Sequence, residues 1–270
     1  MIKKSFSFLA MLSLAVACQT GAENQEVATP DEASQEKSEI EADETGIRIY
    51  PKPEVAEFPE AEIDLEQPQN EMIIAGSEVP FDFLVTGYEL GAQTEDARMN
   101  LANSAKGQHI HLIIDNDPYS AHYDAGFSKS IDEGLHYAIA FLSRSYHESI
   151  KTTKAYEVFQ FKVGETEEEF YELDQPALFY SRPKGTYSGE GAEKVLLDFY
   201  LHNTSLSADG NQVKVVINGD NEFIITEWRP YIIEGLPMGE NTVSIELLDS
   251  SGNLVDVPIN SISRTFTLEP

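Results

Sequence analysis

GQHIHLIIDND, residues 107–117, has a counterpart later in the chain, GNQVKVVINGD at residues 210–220. In both, apolar residues recur at every second position, the period of a β-strand with one face in a core. Ile110, Leu112 and Ile114 align with Val213, Val215 and Ile217, which marks the core face of each strand. The other face carries His109, His111, Ile113 and Asp115 in the first copy and Gln212, Lys214, Val216 and Asn218 in the second. A lysine at that place faces solvent. The strand is therefore ordinary and does not need histidine; what has to be explained is the outer face of the first copy.

Working outward, three more blocks recur in the same order. Asp82-Phe83 matches Asp198-Phe199, DEGLHYAIAFLS (132–143) matches PMGENTVSIELLD (237–249) with Gly134 opposite Gly239, and YEVFQFKV (156–163) matches ISRTFTL (262–268). All lie in short alternating runs punctuated by Gly, Asp, Asn and Pro, the pattern of β-sandwiches. The expected fold is all-β, with two tandem immunoglobulin-like sandwiches at 70–164 and 176–270. The first copy carries about thirteen extra residues between 91 and 106. Within it, TEDARMNLANS (94–104) is a candidate short helix. GETEEEFYELDQP (164–176) holds six acids and no base, so 165–175 reads as a linker. A fragment 176–270 is expected to fold alone.

The N-terminus announces export. MIKKSFSFLAMLSLAVAC has a basic start, a short apolar core and small residues before Cys18, as a secretory signal peptide does. Ala15-Val16-Ala17-Cys18 resembles a bacterial lipobox, so residues 1–17 are read as a leader and Cys18, the chain's one cysteine, as a lipidated anchor. Residues 19–66 hold 15 acids and 3 bases, and no aromatic stands between Cys18 and Tyr50. A segment of this kind buries too little to fold, so 18–69 is expected to be a disordered acidic tether. The expected location is the cell envelope, lipid-anchored to a membrane, with a further envelope protein or a small ligand as partner. Across 270 residues the chain has 47 acidic and 18 basic side chains, a formal charge of −29. That balance excludes nucleic-acid partners, which need a basic footprint.

Five of the six histidines lie between 109 and 147. His109 and His111, two apart on a strand, point the same way about 7 Å apart, so both imidazoles can reach one ion. His147, in the loop SRSYHESIK, is the best third ligand, with His122 next and His136 less suited because it aligns with core-facing Asn241. With Cys18 consumed and few methionines, the site suits Zn²⁺ or Cu²⁺ rather than soft Cu⁺. The bland alternative is that these histidines pack under the 91–106 insertion. Beside them, Tyr137, Ile139 and Phe141 make an outer face apolar where the second copy has Thr242, Ser244 and Glu246. Such a face is covered by the insertion, by the second sandwich, or by a ligand. Arg144 and Glu148 flank it, and Trp228, Arg229 and Tyr231 form a candidate edge on the second copy.

Catalytic motifs are absent: no G-x-S-x-G, no H-E-x-x-H, no P-loop and no G-x-G-x-x-G. The expectation is a non-catalytic binding or assembly module. A metal-dependent hydrolase on His109, His111 and His147 is the rival, and a structural spacer the third reading. His109, His111, Leu112, Ile113, Ile114, Asp115, Gly134, His136 and His147 together resemble small secreted bacterial domains of uncharacterised function, over about 80 residues. Those domains carry an HHHLLID-type strand, a G-x-H-T-L strand and a late loop histidine. This chain has one fewer adjacent histidine in the first strand, and Tyr137-Ala138 where the domains usually have Thr-Leu. The whole chain is similar to lipoproteins of the Bacteroidota type, some described as phosphopeptide-binding. That similarity implies a phosphate contact, for which Arg144 and Lys151 are the nearest cations.

Overall fold

The computed structural model describes residues 46–55, 57–97 and 102–270. All fall within one compact unit, Ser38–Pro270. Cys18, the leader and most of the expected tether lie outside the described residues, as do 98–101 of the candidate helix. Of its described start, Glu95 and Asp96 form a turn and Ala97 is in 3-10 conformation. Among the described residues no helix is long and apolar enough to cross a membrane.

Among the described residues, seventeen strands form two β-sandwiches. The first has a three-stranded sheet, β2 (Glu62–Gln67), β4 (Glu78–Thr86) and β7 (Gly126–Ser130). Against it lies a five-stranded sheet in the order β3 (Met72–Ile74), β9 (Tyr156–Val163), β8 (Gly134–Ser143), β5 (His109–Ile114), β6 (Ser120–His122). The second sandwich repeats this. Its five-stranded sheet runs β11 (Gly185–Ser188), β17 (Ile262–Glu269), β16 (Gly239–Leu248), β13 (Gln212–Ile217), β14 (Asn221–Ile225), and its other sheet holds β10 (Ala177–Arg182), β12 (Lys194–His202) and β15 (Tyr231–Glu234). Matching strands have matching pairings, down to the parallel contacts β3 with β9 and β11 with β17. A register shift at Leu65/Gln67 facing Asp82 recurs at Tyr180/Arg182 facing Asp198. At the end of β5, Asp115 accepts from Tyr137 N at 2.8 Å, and Asn218 accepts from Thr242 N at 2.8 Å in the twin. Twenty-two residues (87–108) separate β4 from β5, and nine (203–211) separate β12 from β13.

The tether expectation needs correcting at its C-terminal end. Residues 46–51 and 62–67 are ordered. The first strand, β1 (Arg48–Pro51), belongs to the second sandwich, where it pairs with β15 and places Ile47 and Ile49 in the core. The same alternation that marks the other strands is present in GIRIYP, but it is short and embedded in an acid-rich stretch. Because β1 precedes β2, the chain enters the second sandwich, builds the whole of the first, and returns.

The two sandwiches press together through the face whose covering was open. Tyr137, Ile139, Phe141 and Ile113 pack with Ala177, Phe179 and Tyr200 from β10 and β12. Tyr137 stacks on Phe179 at 5.7 Å between centroids, and Phe141 meets Tyr200 at 5.0 Å. The second sandwich therefore covers the aromatics. By contrast, the outer face of its own five-stranded sheet carries Lys214 between Glu222 and Glu246, at 3.7 and 3.4 Å. Buried Asn116 ties the seam: its amide donates to Leu178 O at 2.9 Å and accepts from Tyr180 N at 2.8 Å.

Candidate metal site

His109 and His111 leave β5 on the seam side, both fully buried. His147 reaches the same point from the turn after β8, with φ +67. Their nitrogens converge: His109 Nε2 is 2.8 Å from His111 Nε2 and 3.0 Å from His147 Nδ1, and the last two are 3.4 Å apart. A tetrahedral ion with 2.0–2.1 Å bonds sets neighbouring ligand nitrogens about 3.3 Å apart. Among the described residues this is the one cluster of three metal-competent side chains.

Proton placement sharpens the point. His109 Nδ1 donates to Gly107 O at 2.8 Å, so its Nε2 presents a lone pair. A neutral imidazole has one N–H, and every remaining assignment for His111 and His147 leaves at least one pair of like groups face to face at these distances. A cation removes the conflict. Burial drives all three toward the neutral form that ligates: His109 falls to about 4, His147 to about 2, and His111 well below its usual value, with neighbouring imidazoles and Arg182 adding to burial. The Gly107 contact also fixes ring orientation, as outer contacts of metal-bound histidines do.

The thirteen-residue excess and the second sandwich both serve the loop that carries His147. Thr94 and Ser145 exchange hydrogen bonds, Thr94 N to Ser145 Oγ at 3.3 Å and Ser145 N to Thr94 Oγ1 at 3.0 Å, and Ser104 N donates to Ser145 O at 2.7 Å. From the other side, fully buried Asp198 on β12 accepts from Ser149 N (3.1 Å), Ser149 Oγ (3.0 Å) and Lys151 Nζ (2.8 Å). The insertion thus holds the loop that carries His147.

Other expected residues fall elsewhere. His122 is the register partner of Ile110, so it sits on the opposite face, stacked on Phe127 at 3.4 Å and bonded to Ser120 Oγ. His136 pairs with Asp115 at 2.7 Å and with Asp132 O at 2.9 Å; burial lowers its pKa, but these two partners win and leave it raised. Tyr137, Ile139 and Phe141 are seam packing rather than an open ligand face. Arg144 and Lys52 both engage Glu148, at 3.1 and 2.8 Å. With Lys151 on Asp198, the two cations expected to meet a phosphate are already occupied, although both line a cleft of about 490 Å³. Trp228 donates to Phe199 O at 3.1 Å and packs on Tyr200, Tyr231 donates to Glu227 O, and Arg229 donates to Lys52 O. The edge expected on the second sandwich is thus largely structural.

Four site neighbours were not anticipated. Tyr119 and Tyr123 flank Ala121, the register partner of His111, and so share its side. Tyr119 stacks on His111 at 3.6 Å, and Tyr123 lies 5.1 Å from His109. The period-2 spacing of YSAHY was a usable signal. Arg182 and Lys184 come from the second sandwich and carried none. Arg182 lies over the Tyr119 ring at 5.3 Å and is anchored by Tyr187 OH at 3.0 Å. Lys184 donates to Tyr119 O at 2.6 Å; burial and Arg182 push its pKa down to about 8.

No family model matches this chain, and no curated protein matches it. Solved structures that resemble it include the fibronectin(III)-like modules of Clostridium thermocellum CbhA, at 11% identity over 77% of this chain and 94% of that one, TM-score 0.27. Another is the Bacteroides ovatus mixed-linkage glucan utilization locus SGBP-B in complex with a heptasaccharide, at 12% identity over 76% of this chain and 47% of that one, TM-score 0.24. A third is the D00–D0 domain of Intimin, at 12% identity over 77% and 100%, TM-score 0.25. Values this low add nothing to the sandwich fold that the sheets already define.

Proposed function

We propose that this chain is a non-catalytic binding module of the bacterial cell envelope, lipid-anchored at Cys18, whose working site is a divalent-metal centre on its first sandwich. The observation that carries the reading is the convergence of His109 Nε2, His111 Nε2 and His147 Nδ1 within 3.4 Å. An acidic surface of net charge −29 favours delivery of cations to it. The ligand set suits Zn²⁺ or Cu²⁺.

Elemental analysis of protein purified without a polyhistidine tag tests this. One equivalent of metal is expected in the wild type and none in His111→Ala. Absence of stoichiometric metal from wild-type protein, after incubation with either ion and desalting, sinks the proposal. Three protein nitrogens with a further position to fill is also the ligand count of catalytic zinc sites. Burial of His109 and His111 beneath tyrosines favours holding an ion over turning over a substrate. Hydrolysis of ester or amide probes by the zinc-loaded protein, lost in His111→Ala, would move the reading to a hydrolase.

A further inference from the structure

Three neutral imidazoles leave a dication with both its charges, inside the protein and beside Arg182 and Lys184. A buried charge in that position needs an anionic partner. The metal-competent cluster contains no carboxylate and no thiolate. A group at hydrogen-bond distance from the cluster that can supply an anion is the phenol of Tyr119. Its oxygen is 3.3 Å from His147 Nδ1. Its ring lies 3.6 Å from that of His111 and within 18° of parallel, which carries the hydroxyl alongside the converging nitrogens. The Arg182 guanidinium, fixed by Tyr187 at 3.0 Å, lies over the same ring, 5.3 Å from its centroid, where its charge favours an anion. Tyr123, the other tyrosine at the site, has its hydroxyl turned away to Ser104 Oγ at 2.8 Å.

We propose that Tyr119 is the fourth ligand, its phenolate oxygen completing a three-nitrogen, one-oxygen set around the ion. The proposal rests on the metal reading above and deepens it. On binding, the phenolic O–H bond breaks, the oxygen–metal bond forms, and the proton leaves to solvent; no electron is transferred. A bound dication makes such an ionisation favourable, as it does for coordinated water and thiols. The anion halves the net charge of the buried centre, and Arg182 lies beside it as a counter-charge. The second sandwich, which has no counterpart of these histidines, then contributes the cation Arg182 beside the oxygen ligand.

Copper is the probe. Tag-free protein is stripped with chelator and titrated with Cu²⁺ while the visible spectrum is recorded. A phenolate-to-copper charge-transfer band is expected to grow to one equivalent. Tyr119→Phe, which keeps the stacked ring, is expected to lose the band and to bind about tenfold to hundredfold more weakly. Tyr123→Phe is expected to keep both band and affinity. Circular dichroism of the metal-free variants establishes that each is folded. A wild-type complex without the band, a Tyr119→Phe complex that keeps it, or loss of the band in Tyr123→Phe instead overturns the assignment of Tyr119. The two readings fail differently. Binding that needs His111 but is indifferent to Tyr119 removes only the fourth ligand, whereas no binding by the wild type removes the metal site itself.

Discussion

At the scale of single residues, the histidines set how this protein responds to acid. Five of the six have lowered pKa values, chiefly through burial, and His136 alone is raised. An imidazole held neutral in the fold costs nothing above about pH 6.5. Below it, the unfolded chain takes up a proton that the folded chain refuses, so stability drains as the pH falls toward the folded value, about 4 for His109 and for His122. His136 has the opposite sign, since the raised group favours the fold below its folded pKa and loses that contribution as the pH rises through it. The five outweigh the one. In chelator, the denaturation midpoint is expected to fall between pH 7.5 and 5, a window in which ordinary carboxylates stay ionised. A midpoint that is flat or rises with acid would contradict the burial assigned to these rings. Adding Zn²⁺ at pH 7.5 is expected to raise the midpoint through its preference for the folded state.

At the scale of elements, the loop that carries His147 depends on a strand in the other sandwich. Asp198 on β12 is fully buried and holds Ser149 and Lys151, two and four residues beyond His147. Asp198→Asn removes one partner of a buried ion pair, a loss of about 3–5 kcal/mol. It is also expected to loosen the loop and weaken metal binding about tenfold or more. Urea denaturation together with metal titration of the variant checks both effects; unchanged affinity would mean the loop is held by the insertion alone. This dependence explains what could be read from the sequence. Strand faces were legible because each core is patterned with period 2, and the twin strand GNQVKVVINGD showed which residues the fold does not require. His147 was legible as a histidine in the right loop. Arg182, Lys184 and Asp198 were not, because they reach the site across a seam between segments far apart in the chain, and no local period records such a pairing. His122 misled for the opposite reason: proximity in sequence to the other histidines says nothing about which side of the sheet its register selects.

At the scale of the whole molecule, the second sandwich is incomplete without residues that precede the first. Ile47 and Ile49 are buried in its core, and each such side chain contributes about 1.5–3 kcal/mol. A chain beginning at residue 57 is therefore expected to unfold at clearly lower urea concentration than one beginning at 46, as followed by circular dichroism. A fragment 176–270 would lack β1 and also bare Phe179 and Tyr200, so it is expected to aggregate or to unfold readily rather than stand alone. Cooperative, monomeric folding of that fragment would show that neither β1 nor the seam is needed.

The route of the chain through β1 has one further result. The first sandwich hangs from the second by two covalent connections, residues 52–61 on the way in and 164–176 on the way out. A single backbone cut in the acidic linker therefore leaves the histidine-bearing half attached through β1. The strand that remains threads back into its host sheet, and only a second cut could release the half that carries the histidines.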